Sequence, residues 1–237
     1  GVWDTVGSLG IPGDIGRNLL PGAYHFNDTM LSPKVDVALH AIAIDEKRSA
    51  FSPTMWVRQK EASQPENQIV EQVWFSGVHS NIGGSYKDAG LSDIALDWMV
   101  KRVTKHTDLE IDQAYLERVC QPDIEGIGYE SRTTLYLGSK AFPYQRLLNQ
   151  TIPDRRKFKK YDRRSIIPAD TLTINEALHI SALERRKCPA VAHDCSEGAV
   201  EKTRYRPVNL EAVVKARAMA VVDWQGERIE PEKVPWD

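Results

Sequence analysis

Residues 73–84, VWFSGVHSNIGG, constrain this chain more than any other stretch. Val73, Trp74 and Phe75 make a short apolar run of the kind a buried strand shows. Gly77 then lets the backbone turn, and Val78, His79 and Ser80 follow. Asn81 with Gly83 and Gly84 reads as a tight loop, and an amphipathic pattern from Leu91 onward predicts a helix. A histidine leaving a buried strand among glycines can turn its ring into a cleft, where an α/β enzyme places a general base. The same residues also suit a hydrogen-bonded histidine in a turn, and the local sequence does not separate the two.

The first ten residues, GVWDTVGSLG, have a related pattern. Val2 and Trp3 read as the end of a buried strand, and Asp4 falls at its carboxyl end. Open α/β sheets place ligands and catalytic side chains there. Spacing alone favours a turn or capping role for Asp4. Residues 10–33 are rich in Gly, Pro and Asn and are too long for a simple turn. Their apolar pairs, Leu19 with Leu20 and Met30 with Leu31, suit a mobile flap near the site.

Further along, residues 34–45 carry apolar side chains at Val37, Leu39, Ala41, Ile42 and Ile44 and predict a helix, with His40 on its face. Ser92 and Asp93 start a helix through Ile94, Leu96, Met99 and Val103. Residues 126–140 read as short strands, and residues 174–186 as one helix ending in Glu184, Arg185 and Arg186. Residues 210–222 read as a helix passing into a strand. A domain over residues 1–223 is expected, followed by a poorly packed tail over 224–237.

Composition bounds the function classes. The 237 residues are 41% hydrophobic and 27% charged, a globular balance. A formal net charge of −2 gives no electrostatic argument for nucleic acid. The basic run RRKFKKYDRR at residues 155–164 therefore reads as a solvated surface. Cys120, Cys188 and Cys195 lack CxxC spacing, which argues against a disulfide framework and a structural zinc site. No P-loop, GxGxxG or HExxH is present, so no cofactor and no metal is expected. No apolar run reaches the ~20 residues of a membrane span, and no signal peptide is visible.

Four consecutive blocks, GVWDTVGSLG, HAIAIDEKRSAFSPTMW, VWFSGVHSNIGGSY and LSDIALDWM, carry a resemblance. They resemble an α/β-hydrolase family, formerly a domain of unknown function, that includes the phospholipase effectors of type VI secretion. The later blocks HISALERR and YRPVNL resemble it too. The resemblance implies an α/β-hydrolase-like fold, a mainly parallel sheet flanked by helices. It also implies a Ser-Asp-His esterase or lipase of the phospholipase type, with Asp4 in the acid block and His79 in the histidine block. The nucleophile of such enzymes sits on a G-x-S-x-G elbow. None occurs in these 237 residues, so the chain is expected to be the carboxyl-terminal part of the domain, with the serine upstream of Gly1.

The implied partners are a lipid or ester substrate, a transiently contacted membrane surface, an immunity or secretion-machinery protein, and the upstream part of the same protein. The implied location is cytoplasmic, with export by type VI secretion. Two other readings stand beside this one. One is a non-catalytic binding or interaction module with hydrolase-like architecture. The other is a metal-dependent hydrolase using Asp4, His79 and Asp88, which lacks metal-ligand spacing. The triad reading requires Asp4 and His79 at the carboxyl ends of neighbouring parallel strands, within hydrogen-bond reach. Asp45 is the next acid should they point apart.

Overall fold

The computed structural model describes residues 1–6, 31–48, 51–61, 63, 65–132, 144–150, 171–194 and 199–237. Most of the expected flap at 10–33, the basic run at 155–164 and Cys195 lie outside the described residues.

Among the described residues, the central sheet has five strands, all parallel. They are β1 (Val2–Trp3), β2 (Val37–Ala43), β4 (Ile69–Phe75), β7 (Glu176–His179) and β10 (Ala220–Val222), side by side in that order. A short antiparallel pair joins β3 (Val57–Gln59) to β6 (Thr171–Thr173). A third sheet holds β5 (Gly128–Tyr129), β8 (Val191–Asp194) and β9 (Val200–Thr203). The helices are α1 (His79–Gly83), α2 (Gly90–His106), α3 (Gln113–Val119), α4 (Ile180–Lys187) and α5 (Val208–Ala216).

The two-residue period of a strand explains how the sheet is covered. Ala41 and Ala43 on β2, Val73 and Phe75 on β4, and Val222 on β10 face one side, against Leu91, Ile94, Trp98 and Met99 of α2. Ile42, Trp74, Leu178 and Val221 face the other, against Ala182 and Leu183 of α4 and Leu210 and Val213 of α5. A parallel sheet buried on both faces in this way is the α/β-hydrolase-like arrangement.

Three expectations change. Residues 34–45 form strand β2, not a helix. Because both faces of β2 are buried, nearly every position is apolar, and such a run mimics helical spacing. His40 consequently lies fully buried inside a strand and not on a helix face. Residues 174–186 divide into β7 and α4. Pairing with β4 and β10 claims the first part, and the helix starts only after His179, whose Nδ1 accepts the Ser181 N–H. The tail is packed: Val234 and Trp236 are buried in the same core as α5, and the Trp236 carbonyl accepts from Arg186 Nη1 at 3.3 Å.

Candidate active site

Asp4 follows the last residue of β1 and takes φ +42°. Aspartate tolerates this left-handed conformation better than most side chains. Its N–H donates to the Ala41 carbonyl at 2.7 Å, and its Oδ1 accepts the Ala43 N–H at 2.9 Å. Asp4 is thereby pinned across the end of β2, and its carboxylate is fully buried.

His79 is brought to the same place from β4. After Phe75 the chain turns at Gly77, where φ is +116°. The Gly77 N–H donates to Asp45 Oδ2 at 2.7 Å, and the Asp45 N–H donates back to the Gly77 carbonyl at 2.9 Å. The Tyr205 hydroxyl donates to the same Asp45 oxygen at 2.9 Å. Residues 79–83, expected as a loop, form the short helix α1, with His79 as its first residue. Asn81 Oδ1 accepts the Val78 N–H at 3.2 Å, while its amide donates to the Ile127 carbonyl at 3.1 Å. Valine has no polar side-chain atom, so Asn81 alone supplies this cap. The Glu46 carboxylate accepts the His79 N–H at 3.2 Å, Ser131 Oγ at 2.8 Å, and the Arg48 guanidinium.

The two side chains meet. His79 Nδ1 lies 2.7 Å from Asp4 Oδ2. They come from β1 and β4, which flank β2, so the strands are one apart and not neighbours as expected. The end of β2 donates into the pair through Ala43 and closes that gap. Asp45 holds the turn at Gly77 and does not bond the imidazole.

Electrostatics fixes the tautomer. Burial pushes the Asp4 carboxyl up, but the Arg146 charge and the bonds from His79, Arg146 and the Ala43 N–H outweigh it, holding Asp4 well below the usual carboxylate range. An ionised carboxylate can only accept, so Nδ1 of a neutral His79 carries the proton and Nε2 keeps its lone pair. The His79 side chain is 29% exposed, and Nε2 makes no hydrogen bond to a described residue. The Phe51 ring packs edge-on against the imidazole, 5.0 Å between centroids, with Arg48 stacked on Phe51 at 3.5 Å. The imidazole therefore has a carboxylate behind it and an aromatic ring against it, and its outer nitrogen is unbonded among the described residues.

Arg146 is the contributor that sequence reasoning missed. It lies beside Leu147 and Leu148, both buried, and is itself 2% exposed. An arginine leading an apolar pair was the available signal. Asp88, the third residue of the metal reading, accepts main-chain N–H groups of Gly90 and Ile127 and does not join Asp4 and His79. Among the described residues no cluster of three or more His, Cys, Asp or Glu side chains could hold a metal ion. An open depression lined by Arg217, Met219, Arg228 and Trp236 lies by the start of β10, opposite the strand ends that carry Asp4 and His79.

Two further histidines are buried and neutral. Burial pushes His40 down to about 4 and, with Lys101 nearby, His179 down to about 3. The sign follows: the unfolded chain takes up protons near the ordinary histidine value, the folded one does not, and stability falls as pH drops below that value. Asp45 and Glu176, both raised by burial, act in the opposite direction, so the effect is read by comparison. Between about pH 7.5 and about pH 5, the parent protein should lose about 2 kcal/mol relative to His179→Asn. Asparagine keeps a cap acceptor for the Ser181 N–H. Urea unfolding at the two pH values checks this, and equal losses in both proteins would contradict it.

A parallel sheet flanked by helices on both faces gives the chain an α/β-hydrolase-like fold. Residues 1–102 match the family model for the type VI secretion system phospholipase effector, Tle1-like, catalytic domain, the family that the sequence blocks resemble. The matched span contains Asp4, His79 and the first three strands of the central sheet. No curated protein and no solved structure matches the chain. Among the described residues no helix is long and apolar enough to cross a membrane.

Proposed function

We propose that Asp4 and His79 are the acid and base of a Ser-Asp-His ester hydrolase of the phospholipase type, with a serine from outside these 237 residues as nucleophile. The observation that carries this reading is the 2.7 Å contact from an ionised, buried Asp4 to His79 Nδ1. The match of residues 1–102 to a phospholipase catalytic domain supports the choice of substrate.

In this reading the labour divides between the two side chains. His79 Nε2 takes the serine proton as Oγ attacks the ester carbonyl, then returns it to the departing alcohol. Water repeats the cycle on the acyl-enzyme. Asp4 keeps the proton on Nδ1 and stabilises the imidazolium while it exists. Fatty acid is released from the glycerophospholipid. Type VI export, an immunity or secretion-machinery partner and brief contact with a bilayer surface belong to the same reading.

The test is fatty-acid release from phosphatidylethanolamine–phosphatidylglycerol vesicles, alongside p-nitrophenyl ester hydrolysis. The protein carrying the serine should turn over at an enzymatic rate. The 237-residue chain should stay near background, because a base without an oriented nucleophile and oxyanion hole loses most of the acceleration. Equal activity in both would overturn the assignment of the nucleophile.

A further inference from the structure

Arg146 has no part in the proton transfers just described, yet it touches Asp4, the end of β2 and Phe51 beside the imidazole. Nη1 donates to Asp4 Oδ1 at 2.6 Å and Nη2 donates to Oδ2 at 3.0 Å. The same nitrogens donate to the Ala43 carbonyl at 2.7 Å and the Phe51 carbonyl at 2.5 Å. Ala43 ends β2 and gives its N–H to Asp4, and the Phe51 ring packs on the imidazole. One buried guanidinium therefore ties together the acid, the strand end behind it and the aromatic wall of the base.

Building on the Ser-Asp-His reading, we propose that Arg146 is a positioning residue, fixing the one orientation in which Asp4 accepts from His79 Nδ1 and offsetting the carboxylate charge that the imidazole faces. Each carboxylate oxygen has two donors: Ala43 N–H and Nη1 on Oδ1, Nη2 and His79 on Oδ2. With these acceptor directions occupied, the carboxylate cannot rotate without breaking charge-assisted bonds. The charge matters as much. A buried carboxylate facing histidine alone strongly favours imidazolium, and an imidazolium cannot take a serine proton. Sharing Asp4 with a permanent cation offsets part of the carboxylate charge that the imidazole faces.

The other titratable and charged groups near His79 do not take over this role. Glu46 and Arg48, on the loop after β2, pair with each other. His40 on β2 accepts the Thr5 N–H through Nε2 and is neutral. Tyr86, between α1 and α2, has a pKa raised by burial and is uncharged near neutral pH. Removing Arg146 therefore leaves the Asp4 charge facing His79 uncompensated.

Two variants of the intact protein test this, by nitrogen-15 NMR titration of the His79 ring and by the pH profile of ester hydrolysis. Arg146→Gln should raise the His79 titration midpoint by about one pH unit or more and move the acidic limb of kcat/KM upward with it. Arg146→Lys keeps the charge but loses the fork. Its midpoint should stay near that of the parent, while kcat falls roughly tenfold with little change in KM. A merely structural role would lower stability and leave the midpoint unmoved. An unmoved midpoint in folded Arg146→Gln, or an unaltered kcat in Arg146→Lys, overturns the proposal. Should Arg146→Gln fail to fold, the Arg146→Lys split decides. A raised midpoint in a protein that cleaves no ester upholds the Arg146 coupling and refutes the esterase reading, so the two failures are distinguishable.

Discussion

Replacing His79 with alanine is expected to cut ester turnover by roughly 10³-fold or more in the protein that carries the serine. The fold should survive. The His79 side chain is partly exposed, and its loss leaves Asp4 with both Arg146 nitrogens and the Ala43 N–H, so no buried charge is orphaned. Asp4→Asn should show the opposite balance. Its catalytic cost is smaller, because Asp4 orients the ring and does not itself carry the proton. Its stability cost is larger, about 3 kcal/mol or more, because the buried Arg146 then faces a neutral amide. Parallel measurement of kcat and the urea midpoint for both variants checks the contrast. A His79→Ala protein that unfolds more readily than Asp4→Asn would contradict the assigned roles.

Gly77→Ala should be the most damaging single-methyl addition near the site. The backbone there sits at φ +116°, and a Cβ would lie 2.5 Å from Asn81 Cβ. Main chain on both sides is fixed by the reciprocal bonds to Asp45, so the turn has little room to yield. Strain and overpacking together are expected to cost about 3 kcal/mol or more. The same displacement acts on Asn81, which caps the helix that begins with His79. A misplacement of ~1 Å can cost on the order of 10²-fold in rate, so activity should fall even where the protein remains folded. Urea unfolding and ester turnover of Gly77→Ala test both parts. A midpoint and rate equal to the parent would show that Asp45 and Asn81 do not define this turn.

What could be read from the sequence reflects local against tertiary causes. The pairing of a short apolar run with glycines marked the exit of β4, and Asp4 directly after Val2 and Trp3 marked the end of β1, because strand ends are locally punctuated. Helix α2 was legible from its apolar spacing and first-turn Asp93. Strand β2 was not, since burial on both faces removes the alternation that distinguishes a strand from a helix. Strand β7 was hidden for a related reason: its identity comes from partners some hundred residues away, such as Trp74 opposite Leu178. The tail read as polar because Val234 and Trp236 are isolated apolar residues, and their burial depends on a core assembled elsewhere. Arg146 sits 142 residues from Asp4, and no local pattern links the two.

In the proposed mechanism Asp4 and His79 work as one acid–base pair on a serine hydroxyl. The most direct measurement is the rate at which a fluorophosphonate labels that serine in the intact protein, compared among the parent, Asp4→Asn and His79→Ala. Labelling should be rapid in the parent, slower in Asp4→Asn, and slowed by roughly 10³-fold in a folded His79→Ala. Labelling of folded His79→Ala at the parent rate would contradict it.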